Sequence, residues 1–132
     1  MSFSRNAQVL GFVSTLGGIK AFADGSLGSR TAYMEKPWLG EPDNHGYHTY
    51  ESVDWLADRF RKADENGLWV WIQAIGDRAN SEVLDAFEQA GVAASKGHAH
   101  HRIEHAQFLR LQDVERFAAF RTEISWYCRG IF

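Results

Sequence analysis

Three polar side chains stand where apolar runs break off, and their types suit metal and carbonyl chemistry. Lys20 lies in Gly17-Gly18-Ile19-Lys20-Ala21-Phe22-Ala23-Asp24, which opens into Gly25-Ser26-Leu27-Gly28-Ser29-Arg30. Gln73 follows Leu68-Trp69-Val70-Trp71-Ile72 and precedes Ala74-Ile75-Gly76-Asp77-Arg78-Ala79-Asn80. His105 stands in Arg102-Ile103-Glu104-His105-Ala106-Gln107. A neutral imidazole is the commonest side-chain ligand for metals. A lysine amine becomes a ligand once carbamylated, because the cation is then exchanged for an anionic oxygen donor. A carboxamide oxygen is a weak donor to zinc and is better suited to hydrogen bonding. Each residue also has an ordinary reading. Lys20 can be a surface cation at a strand end, and His105 and Gln73 can be satisfied structural groups. Strict alternation turns Glu104 away from the face of His105, so these two do not form one bidentate site.

Other clusters carry less. His98-Ala99-His100-His101 would chelate if it were a strand, but it follows Ser95-Lys96-Gly97 and reads as a solvated loop. Gly25 to Arg30 lacks the spacing of a nucleotide fingerprint and the lysine of a P-loop. Its glycines suit a tight turn or a close backbone approach to a ligand. Cys128 has no base partner nearby in sequence and reads as structural.

Elements must hold these side chains at one end of a sheet. Gly18 to Ala23, Leu68 to Ile72 and Arg102 to Gln107 read as strands. The run Leu68 to Ile72 is apolar without alternation, which predicts a strand buried on both faces. Helices are expected over Glu51 to Asn66, Ala79 to Ala90 and Leu111 to Phe120. In the first, Val53, Leu56, Ala57 and Phe60 form one stripe, and Gly67 stops the helix. Val83, Leu84 and Phe87 face inward in the second, with Asp77 or Asn80 as its cap. Val114, Phe117 and Ala118 are expected inward in the third. Pro37, Gly40, Pro42, Asn44 and Gly46 punctuate a long loop over residues 30–49, a length that often carries function. Residues 1–16 show no strong period and read as a tail or connecting segment. Gly91 to His100 reads as a polar connection, and Glu123 to Tyr127 as the opening of a fourth strand.

Alternating strands and helices give an α/β fold with parallel strands and right-handed crossovers. An open doubly wound sheet and a closed barrel both accept the order, and side chains at the C-terminal strand ends face the ligand side of either. A full (β/α)8 barrel typically needs about 250 residues. The chain's 132 residues accommodate three to four βα units, a partial barrel read as one domain over 1–132. Such an open half leaves two sheet edges and an apolar interior, with Trp69 and Trp71 on the middle strand.

Composition excludes several classes. Forty-five per cent of residues are hydrophobic and 23% charged, ordinary for a globular protein. A net charge of -3 gives no footprint for nucleic acid. No apolar run reaches the roughly 18 residues of a membrane span, and the N-terminus lacks a signal-peptide core. A single cysteine excludes an internal disulfide and fits a reducing cytoplasm.

The three motifs, in this order, resemble the amidohydrolase superfamily, and within it the amidohydrolase 3, or YtcJ-like, group. The likeness runs over about 17–120, with 1–16 and 121–132 divergent. It implies a (β/α)8 metal-dependent hydrolase of amide-type C–N bonds other than peptide bonds, zinc as the expected metal, and a small-molecule substrate. In that family the lysine at the position of Lys20 is the carboxylated metal bridge, and the histidine at that of His105 is a ligand. The family's middle motif reads His-Ala-Ile-Gly-Asp, so Gln73 replaces a ligand histidine. The metal lowers the pKa of bound water and polarises the carbonyl, while a late-strand aspartate moves protons. No His-x-His strand precedes Lys20, and that aspartate is not found before Phe132. A truncated or frame-shifted reading frame would give such an ending. The chain alone is therefore expected to lack a complete site. The alternative is a non-catalytic fragment or pseudoenzyme that forms homo-oligomers or pairs with a complementing chain. A flavodoxin-like binding domain explains the alternation but not the motifs.

Overall fold

A computed structural model describes residues 6–9, 12–15, 17–91 and 101–119 of the chain. The strands are β1 (Asn6–Val9), β2 (Phe12–Thr15), β3 (Gly18–Phe22), β4 (Trp69–Ala74) and β5 (Arg102–His105). The helices are α1 (Val53–Glu65), α2 (Asp77–Ala90) and α3 (Leu111–Ala119). From β3 onward the chain alternates strand and helix, and β3, β4 and β5 form a parallel sheet in that order.

Helix α1 forms where the apolar stripe predicts. Ser52 caps it, its Oγ accepting from Trp55 N at 3.1 Å, and Gly67 turns the chain away at φ 63°. Leu56, Ala57, Phe60 and Ala63 are buried. They meet Val83, Leu84, Ala86 and Phe87 of α2, with the Phe60 and Phe87 rings 4.4 Å apart. Both helices cover the side of the sheet that presents Val70, Ile72, Ala74 and Ile103.

Several expectations are corrected. Residues 6–9 and 12–15 are not a plain tail: β1 and β2 pair antiparallel, Asn6 opposite Thr15. That pairing depends on partners along two short strands and leaves no helical or alternating stripe to read. Strand β4 is not buried on both faces. Val70, Ile72 and Ala74 are buried, whereas Trp69, Trp71 and Gln73 are half-buried, because helices cover one side only. Helix α2 begins earlier than expected, and Gly76 occupies its cap without a side-chain bond. Asp77 instead accepts from Glu35 N and Arg78 N, both at 2.8 Å, and Asn80 reaches backward to carbonyls. In α3, Phe117 is buried, but Val114 is 49% exposed. Helix α3 is held to α2 on another side, by Arg116, which pairs with Asp85 and Glu88. His101 is buried rather than solvated. The expected strand over Glu123 to Tyr127, the connection 92–100 with His98 and His100, and Cys128 lie outside the described residues.

Candidate active site

The parallel register decides which side chains share a face. Lys20 pairs with Trp71, and Trp71 with Arg102; Phe22 pairs with Gln73, and Gln73 with Glu104. Paired residues of adjacent strands point the same way, so Lys20, Phe22, Trp69, Trp71, Gln73, Arg102 and Glu104 share the face opposite the helices. It is a mixed face of rings and charges. Lys20 Nζ stands 5.2 Å from the Phe22 ring centroid, and the Arg102 guanidinium 4.9 Å from that of Trp71. Arg102 Nε and Glu104 Oε1 are in ion-pair contact, yet they are misaligned and neither completes a hydrogen bond. Lys20 is exposed, as its ordinary reading expects. Desolvation still lowers its pKa; Glu104 acts to raise it and Arg102 to lower it.

Gln73 lies two residues nearer the strand ends than Lys20 does. Its Nε2 donates to the carbonyls of Asp24 and Gly25, at 3.1 and 3.2 Å. These bonds fix the amide against the β3 loop and match the reading of a satisfied polar group.

His105 pairs with Ala74, so strict alternation would turn it to the helix side. The extended alternation ends there, with His105 at φ 78° and Ala106 at φ 43°. Two successive non-glycine residues in the left-handed region are uncommon and end the strand abruptly. His105 lies close enough to the Asp24 carboxylate to act on its titration. The structure thus gathers Gln73 and His105 around the Asp24 loop and keeps Lys20 further back on the face of Gln73.

Asp24 is the residue that sequence reasoning missed. It is 3% exposed. Oδ1 accepts from Ile75 N at 3.0 Å, and Oδ2 from Gly76 N at 2.8 Å and Tyr33 N at 3.0 Å. Burial raises its pKa, opposed by these three N–H donors and by His105. One carboxylate therefore ties the end of β3 to the end of β4 and to the long loop. Asn80 makes a second knot, its Nδ2 meeting the carbonyls of Ala74, Gly76 and Phe108. The signal for Asp24 was an acidic residue directly after an apolar strand.

An open cleft of about 640 Å³ lies at this end of the sheet. Phe22, Gln73 and Asp24 border it on the strand side; Gly25, Ser26, Ser29, Thr31, Tyr47 and Thr49 border it on the loop side. The long loop folds back on itself to reach it, through Met34 N to His45 O and Trp38 N to Asn44 O, both at 2.8 Å. Gly25 permits the close approach of Thr31: a Cβ on it would lie 2.1 Å from Thr31 Oγ1.

The donor set does not make a metal centre by itself. Among the described residues no group of three or more histidine, cysteine, aspartate or glutamate side chains could hold an ion. His105 is one good donor, Gln73 is a weak one whose nitrogen is engaged, and Lys20 becomes a donor only after carbamylation. A catalytic zinc site usually takes three protein ligands.

Comparisons with known proteins add the wider context. The sequence pattern of the amidohydrolase family matches residues 5–132. The Arabidopsis thaliana protein LONG AFTER FAR-RED 3 is 41% identical over 102 residues, 77% of this chain and 17% of its own length. YtcJ of Bacillus subtilis is 39% identical over 102 residues, 77% of this chain and 18% of its own. A crystal structure described as an uncharacterized metal-dependent hydrolase from Pyrococcus furiosus superposes with a TM-score of 0.72 at 32% identity, over 89% of this chain and 23% of that one. The chain thus spans about a fifth of the length of the relatives it matches.

Proposed function

The chain belongs to the amidohydrolase family, and on that premise we propose that it forms the central βα units of a (β/α)8 metal-dependent hydrolase barrel. The reaction we assign to that barrel is cleavage of amide-type C–N bonds in small molecules, with zinc as the metal. The supporting observation is the order β3, β4, β5, which carries Lys20, Gln73 and His105 on adjacent parallel strands. In this reading His105 and a carbamylated Lys20 hold the metal, and Gln73 stands where a third ligand belongs. Asp24 keeps the ends of β3 and β4 in place against the long loop, because its carboxylate is bonded to Tyr33, Ile75 and Gly76. The chain's own residues fall short of a full ligand set.

Zinc affinity tests the reading directly. The wild-type chain binds zinc weakly, and Gln73→His tightens binding at least tenfold by supplying an imidazole for a carboxamide. An unchanged affinity would remove Gln73 from the site. Turnover of an N-acyl or formamide substrate, abolished by His105→Ala, is the result that supports the hydrolase.

One observation favours a second reading, a non-catalytic chain that self-associates or pairs with a complementing segment. Ile19 and Phe22 on the edge strand β3 are 45% and 55% exposed. Unpaired strand edges beside exposed apolar groups invite association. A dimer whose population rises with concentration, together with no metal and no turnover, supports that reading instead.

A further inference from the structure

The cleft beside Gln73 has a chemistry of its own. Its volume, about 640 Å³, is in the range of small-molecule sites, roughly 300–1,000 Å³. Two rings border it and remain accessible, Phe22 at 55% and Tyr47 at 52% exposure. Three hydroxyls form a chain on its loop side. Ser26 Oγ and Ser29 Oγ are 2.8 Å apart, and Ser29 Oγ and Thr31 Oγ1 2.6 Å apart. Thr31 Oγ1 also accepts from Ser26 N at 3.0 Å and lies 3.5 Å from Ser26 O.

The proton positions in this chain can run in two directions, because a hydroxyl both donates and accepts. If Thr31 donates to Ser29 and Ser29 to Ser26, the Ser26 proton is left to donate outward. If the order reverses, Ser26 donates to Ser29, Ser29 to Thr31 and Thr31 to the Ser26 carbonyl; only lone pairs then face outward. The same three residues thus meet a carbonyl oxygen in one state and an N–H in the other. The carboxylate at this site, Asp24, has both oxygens engaged by backbone N–H groups and is 3% exposed, so it presents no free oxygen for direct contact with a cation. A flat ligand that carries both an acceptor and a donor, and no charge, fits this lining.

Resting on the hydrolase reading, we propose that this cleft binds an uncharged aryl carboxamide, its ring against Phe22 and Tyr47 and its amide on the hydroxyls of Ser26, Ser29 and Thr31. The competing outcome is an anion, since Lys20 Nζ stands 5.2 Å from the Phe22 ring. The test uses the full chain, labelled with ¹⁵N and titrated with benzamide and, separately, with benzoate. With benzamide, the backbone signals of Gly25, Ser26, Ser29 and Thr31 shift along a saturating curve. Benzoate at the same concentration leaves them in place. Phe22→Ala and Ser26→Ala, both at exposed positions, each weaken benzamide binding at least fivefold. Benzoate binding as tightly as benzamide, shifts confined to another surface, or no shift at all would each overturn the assignment. Failure here is separable from failure of the hydrolase reading. Benzamide bound in the cleft without turnover of any amide upholds this assignment and counts against hydrolysis. Turnover of an aryl amide with a KM unmoved by Phe22→Ala overturns the assignment and leaves the hydrolase in place.

Discussion

Gly76→Ala is the substitution that most directly probes how the strand ends are held. At φ -71° and ψ 153° the Gly76 backbone suits alanine, so conformation is no obstacle. Space is. A Cβ there would lie 2.0 Å from Tyr33 O, 2.5 Å from Tyr33 C and 2.8 Å from Tyr33 N, all backbone. Restoring a 3.0 Å separation moves the Tyr33 peptide by about 1 Å. The bond from Tyr33 N to Asp24 Oδ2, now 3.0 Å, then stretches beyond hydrogen-bond range. Losing a bond to a charged group costs about 1.5–3 kcal/mol. Weakening Ala79 N to Tyr33 O, now 3.2 Å, costs up to about 1 kcal/mol more. Alanine recovers about 0.4–1 kcal/mol by restricting the unfolded chain. The net expectation is a destabilisation of about 0.5–3.5 kcal/mol, centred near 2. Gly28→Ala is the control, because nothing lies within 4 Å of its Cβ. It should leave stability unchanged or raise it by up to about 1 kcal/mol. Urea denaturation followed by tryptophan fluorescence measures both, and the midpoint shift converts through a common m-value. Equal midpoints for the two variants would refute the close-approach argument.

Two further outcomes follow from single residues. His101 accepts from Val70 N through Nδ1 at 3.2 Å and faces Asp64 through Nε2 at 3.4 Å, so the fold holds it neutral. Burial lowers its pKa below the usual imidazole value, with Asp64 opposing. The unfolded chain therefore takes up a proton that the fold refuses, and this stability contribution is present above about pH 6.5 and lost as pH falls below it. The stability gap between wild type and His101→Gln should shrink from about pH 8 to about pH 5; a constant gap contradicts the neutral assignment. In α3, Val114→Ser should change stability by less than about 0.5 kcal/mol. Phe117→Ala should cost about 3–5 kcal/mol, and thermal melts giving the reverse order would show that the helix is rotated.

Local patterns were legible and distant ones were not. The stripes Leu56, Ala57, Phe60 and Val83, Leu84, Phe87 repeat at helical spacing, so both helices could be read from neighbours a few residues apart. The strand run Leu68 to Ile72 was equally visible. Its one-sided burial was not, because that depends on what covers the other face. Asp24 drew no notice as an anchor, since its three donors come from positions 33, 75 and 76 and meet only in the fold. The turn at His105 and Ala106 is a backbone conformation at residues whose types do not demand it. Val114 shares the apolar spacing of Phe117, but the packing of α3 on α2 leaves it outside. Of the candidate residues, the positions on the sheet followed from the motifs, while the engagement of the Gln73 amide with Asp24 and Gly25 required coordinates.

Strand β4 alternates between two unrelated duties. Positions 70, 72 and 74 are clamped by the helices, whereas 69, 71 and 73 are half-buried on the opposite face. Exchanges at the clamped set must keep similar volume, whereas those at the outward set leave the packing of the helices untouched. A reactive group placed at position 73 leaves the helical layer beneath undisturbed and gives up only the amide's bonds to the Asp24 and Gly25 carbonyls.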